Sequence, residues 1–152
     1  MTRKNMTATS HAIIGTIIAA KIGNPTLAIP IAIASHIALD AIPHWDTATN
    51  KNNKTFKKLF IHSFIDVMLG FILSYLLIIL FFPATNLSYA FLMIIASQFF
   101  DWATAPYYFF KIKAFKWVYS FQKLFDHDLD LPWGLVIQVI LILALVAAAK
   151  FF

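Results

Sequence analysis

From Leu59 to Phe110 the chain carries no lysine or arginine, and its only carboxylates there are Asp66 and Asp101. A soluble surface cannot be made from such a stretch, because folded proteins in water cover themselves with charged side chains. The rest of the chain points the same way, with 61% hydrophobic and 12% charged residues among 152. Lipid is therefore the expected solvent, and a single membrane-embedded helical domain over residues 1–152 the expected architecture.

Proline and polar punctuation divides the apolar sequence into about five helical segments of an all-α bundle. The first runs from Thr9 to Ile22 and stops at Gly23-Asn24-Pro25. The second runs from Pro25 to Ile42, with Pro30 as an expected kink and Pro43 as its end. The third spans Thr55 to Phe82, the fourth Leu87 to Phe110 and the fifth Pro132 to Phe152. The last three can each cross a hydrocarbon core of about 30 Å. The first is short for that, so the first two are expected to form a short or re-entrant hairpin. Arg3 and Lys4 before an apolar run also suit a cleaved leader; a short membrane helix is the expectation. Lys111, Lys113, Lys116 and Lys123, set among aromatics, predict an interfacial amphipathic segment anchored by Trp117 and Tyr119.

Alternating helix directions place ten of the twelve basic residues on one side and only Lys21 and Lys150 on the other. That asymmetry predicts a cytoplasmic (inner) membrane protein whose basic face is cytoplasmic. The net charge of +5 is matched to membrane lipids with anionic headgroups, with no nucleic acid partner expected. The absence of cysteine excludes disulfides, thiolate zinc sites and cysteine nucleophiles.

The acids are unusual, since all seven are aspartates and glutamate is absent. The same topology brings the five histidines and the aspartates to the basic face. Two His-x-x-x-Asp pairs, His36/Asp40 and His62/Asp66, each put an imidazole and a carboxylate on one helical face, as a metal site requires. Asp66 and Asp101 lie deep in apolar helices, where an unpaired carboxylate costs at least about 2.5–3.5 kcal/mol. Metal coordination removes that cost. The candidate metal ligands are His11, His36, Asp40, His44, His62, Asp66, Asp101 and His127, with Asp46 as candidate general base. The plainer alternatives are a helix cap for His11, an interfacial turn for Pro43-His44-Trp45-Asp46, and capping of the fifth helix by one of Asp126, Asp128 and Asp130. Ser97 and Gln98, one turn before Asp101, are placed to orient it.

Ser35-His36-Ile37-Ala38-Leu39-Asp40, followed by Pro43-His44 and preceded by His11, resembles a bacterial and archaeal family of inner-membrane metal-dependent hydrolases, distantly like zinc-dependent phospholipase C. The resemblance covers about the first two-thirds of the chain. His62 and Ser63 match the segment that opens the family's next helix, whereas Lys57 stands where that family has a histidine. The resemblance implies His11, His36, Asp40, His62 and Asp66 as ligands.

These observations predict a membrane-bound hydrolase with one to three divalent ions, zinc first and manganese second, acting on a phosphoester of a lipid or lipid-linked substrate. The alternatives are a divalent-cation or proton-coupled transporter, which needs polar groups through the whole membrane depth, and a non-catalytic scaffold with structural metal.

Overall fold

The computed structural model describes residues 7–46, 55–125, 127 and 129–151. Among them the chain is all helical, with seven α-helices: α1 (Ala8–Lys21), α2 (Pro25–Asp40), α3 (Phe56–Phe81), α4 (Leu87–Ser97), α5 (Phe99–Phe110), α6 (Lys116–Gln122) and α7 (Trp133–Phe151). A single 3-10 turn, Lys113–Phe115, joins α5 to α6.

Helix boundaries follow local chemistry. The side chains of Thr7, Asn24, Thr55 and Asn86 each accept a backbone N–H in the first turn of α1, α2, α3 and α4. Pro25 occupies the first turn of α2, where its missing N–H has no helical partner to lose. Pro30 is accommodated inside α2 and Pro106 inside α5, and neither ends its helix. α3 and α7 are the two helices long and apolar enough to cross a membrane. At 1.5 Å per residue they reach about 39 and about 28 Å.

Their surfaces are inverted relative to a protein in water. α3 exposes Phe64, Ile65, Ile72 and Leu80 while burying Asp66, Gly70 and Ser74. α7 buries only Gly134 and Gln138 and exposes Val139, Ile140 and Leu143. Apolar side chains outside and polar or small ones inside favour association with lipid.

α1 is the hub, packed against α2, α3, α4 and α7 and buried on nearly every face. Its 14 residues reach about 21 Å. Its shortness therefore goes with enclosure by other helices, in keeping with the short hairpin packed against the rest that the sequence suggested. Gly15 permits the closest crossing: a Cβ there would stand 2.5 Å from Ser97 Oγ and 2.6 Å from the Met93 carbonyl oxygen of α4. Below it Ile14, Ile18, Ala28, Ala32, Ile78 and Met93 form the apolar core. At that end the Tyr89 hydroxyl donates to the Ile22 carbonyl at 2.5 Å, and Lys150 Nζ donates to the Phe81 carbonyl at 3.3 Å. Both close a helix terminus whose carbonyls lack helical partners.

The expected fourth segment is broken at Gln98, which adopts φ −98°, ψ 14° between α4 and α5. No glycine or proline marks the spot. The Ser97 carbonyl accepts from His36 Nδ1 at 2.8 Å, and this side-chain contact coincides with the interruption of the helical ladder.

Candidate metal centre

The break in α4–α5, the start of α1 and the end of α2 meet at one point. His36, in the last turn but one of α2, is fixed through both ring nitrogens. Its Nδ1–H donates to the Ser97 carbonyl, which leaves the Nε2 lone pair facing the interior of the cluster. His36 Nε2 stands 3.3 Å from Asp40 Oδ2, the i+4 relation expected from the sequence, and 3.7 Å from Asp101 Oδ1. His11 Nε2 stands 3.2 Å from the other oxygen of the same carboxylate, Asp40 Oδ1. Asp40 thus bridges two imidazoles, whose rings stack at 3.7 Å with an interplanar angle of 9°.

His11, His36 and Asp101 each offer a ligand atom, and these atoms lie within 4.8 Å of one another. Both histidines and Asp40 are wholly buried, whereas the Asp101 side chain is 22% exposed. Asp101 is therefore the open edge of the group. Phe100, at 5.5 Å between ring centroids, packs against His36.

A residue with no sequence signal completes the cluster. Gln122, on the inner face of α6, donates from Nε2 to His36 Nε2 at 3.0 Å and to Asp40 Oδ2 at 3.4 Å. Only its place as the lone amide one turn after buried Val118 distinguishes it along an otherwise aromatic and basic stretch. A second amide, Gln138 of α7, accepts from the Thr7 and Ser10 hydroxyls at 3.2 and 3.3 Å and donates to the Trp45 carbonyl. Gly134 lets α7 come this close, since a Cβ there would stand 2.6 Å from Trp45 N.

Asp66 does not join the group. Its carboxylate accepts the Ala8 amide at 2.7 Å, the Thr9 amide at 3.2 Å and the Thr9 hydroxyl at 2.6 Å. It is a helix cap supplied from a neighbouring helix, and the unpaired N–H groups and dipole of α1 stabilise its charge. The capped helix carries His11 one turn later, so Asp66 fixes the base of that imidazole. His62, one turn before Asp66, is half-buried and lines a shallow cavity of about 240 Å³ with Thr55, Lys57, Lys58 and Ile61.

The remaining candidates cluster just beyond the end of α2. His44 is fully buried, and its Nδ1 donates to the Ile42 carbonyl at 2.6 Å. Its backbone pairs with His127 and Leu129, through His44 N to the His127 carbonyl at 3.1 Å and Leu129 N to the His44 carbonyl at 2.7 Å. The His127 amide in turn donates to the Asp40 carbonyl at 3.1 Å. The His127 imidazole is exposed and donates from Nδ1 to the Phe125 carbonyl at 2.9 Å. Asp46 is buried two residues after His44. Asp126 and Asp128 lie outside the described residues. Ser97 orients His36 through its carbonyl, and the Gln98 side chain is fully buried with no hydrogen-bond partner among the described residues.

The donor set suits a divalent ion. Two imidazoles and a carboxylate are borderline-to-hard ligands of the kind zinc and manganese accept. His11 Nδ1 is buried without a hydrogen-bond partner among the described residues, an arrangement that costs about 1–3 kcal/mol when nothing else is bound. Compared with known proteins, the chain matches no family model, no curated protein and no solved structure.

Proposed function

We propose that the chain is an integral membrane protein crossed by α3 and α7, with the His11/His36/Asp40/Asp101 centre at the cytoplasmic side of the inner membrane. It acts as a metal-dependent hydrolase on a phosphoester of a lipid or lipid-linked substrate. The observation that carries this reading is the convergence of His11, His36 and Asp101 within 4.8 Å in a buried, apolar setting. Isolated buried carboxylates and imidazoles are too costly to keep without a partner of opposite charge. The resemblance at Ser35–Asp40 supports the same family of hydrolases.

In this reading His36, His11 and Asp101 hold the ion, and Asp40 sets the two imidazoles relative to each other. A bound divalent ion would supply an acidified water and polarise a phosphoryl oxygen. Ser97 holds His36 in the tautomer that presents Nε2. Asp101, the exposed edge, faces the approach of substrate, and Asp46 is assigned as the proton acceptor.

Gln122 favours a second reading, because its amide already serves the His36 Nε2 lone pair. There the cluster is a polar staple without catalysis. Metal content of detergent-purified protein, wild type beside Asp40→Asn and His36→Ala, separates the two. Stoichiometric zinc or manganese lost in both variants supports the metal centre. No metal in the wild type after reconstitution overturns it and leaves the staple.

A further inference from the structure

Between Trp102 and Phe125 the chain has four lysines and no acid. The structure folds this stretch into a hairpin, α5 against α6 through the 3-10 turn, with a sharp division of faces. Val118 and Gln122 point inward and are buried. Outward stand Lys111, Lys113 and Lys116, all exposed, with Phe110 at 66%, Trp117 at 71% and Leu124 at 63% exposure. Lys123 lies 4.7 Å above the Tyr119 ring. Phe56 and Phe60 of α3 pack edge-on against Phe109 at 5.9 and 5.5 Å, so exposed Lys57 and Lys58 adjoin the hairpin tip. The basic and aromatic belt therefore lies where the exposed apolar surface of α3 begins.

We infer that the outer face of the α5–α6 hairpin is a docking surface for the anionic headgroups of the bilayer. Lysine and tryptophan side by side meet the two demands of that layer, phosphate charge and partly apolar depth. Bases stacked on the same aromatics are the rival occupant. The aliphatic Ile112 and Leu124 and the continuity with α3 favour lipid. The inference rests on the membrane reading above and adds a partner beside its centre, since Gln122 reaches His36 and Asp40 from the other face of the same short helix.

The chain has no cysteine, so Ser120→Cys on the exposed face of α6 gives a single site for a nitroxide. The full chain is reconstituted in nanodiscs of phosphatidylcholine alone or with ~30% phosphatidylglycerol. The expected result is at least a threefold drop, on the order of one lysine's headgroup attraction, in accessibility to an aqueous nickel relaxant when phosphatidylglycerol is present. Added salt of about 0.5 M, or Lys111, Lys113, Lys116 and Lys123 all changed to Gln, should abolish that drop. Equal accessibility in both bilayers, or a drop that survives both salt and the quadruple change, overturns the inference. So does protection by a single-stranded oligonucleotide with no dependence on lipid. The salt arm needs no variant to fold. Metal content measured on the same samples keeps a failed docking surface distinct from a failed metal centre.

Discussion

Asp66 Oδ1 accepts both the hydroxyl of Thr9, at 2.6 Å, and its amide, at 3.2 Å. This junction between α3 and α1 makes an intramembrane-type acid a structural cap. Asp66→Ala should destabilise the fold by about 2–4 kcal/mol, because charged hydrogen bonds to two amides and a hydroxyl are lost together. Chemical unfolding in detergent measures it. The folded fraction should keep wild-type metal stoichiometry, and metal loss without loss of stability would instead make Asp66 a ligand.

Asp101 should behave in the opposite way. It is the partly exposed member of the group, so Asp101→Asn should cost less than about 1 kcal/mol in stability. Metal affinity should fall at least about tenfold with a ligand charge removed. Competition with a chromogenic chelator reads the affinity, and an unchanged value would remove Asp101 from the ligand set.

Gln122 competes for the lone pair that a metal needs. Gln122→Ala removes a hydrogen bond worth about 1 kcal/mol, so zinc should bind about fivefold tighter. The same chelator competition applies. Weaker binding would mean that Gln122 supports the ion-bound form.

Gly15 and Gly134 mark the two closest backbone approaches around α1 and α7. Gly15→Val forces its side chain into the Met93 carbonyl and should cost about 3 kcal/mol or more. Gly23, with open space around the position of a Cβ, serves as the control: Gly23→Ala should shift the thermal midpoint little.

Much of the fold was legible in the chain because its signals are local. Pro25, Pro43 and uninterrupted apolar runs placed the ends of α1, α2, α3 and α7, and the outer ends of α4 and α5, to within about two residues, while the break at Gln98 went unmarked. The His36/Asp40 pair was legible for the same reason, since i and i+4 share a face whatever surrounds them. His62/Asp66 has the same spacing and a different fate, because the N-terminus of α1 meets Asp66. Spacing along one helix carries no information about which partner a neighbouring helix presents.

The sequence by itself determined an apolar chain, all helical among the described residues, with the histidines and aspartates described there drawn to one end. It did so because hydropathy, proline and helical periodicity act over a few residues. The tertiary structure alone decided which of those groups meet. Gly15 lets α1 press against α4, Ser97 turns its carbonyl to His36, and the chain breaks at Gln98 to carry Asp101 back to the pair. Each of these depends on backbones distant in sequence coming within a few ångströms, and such contacts leave no periodic trace in the residues that make them.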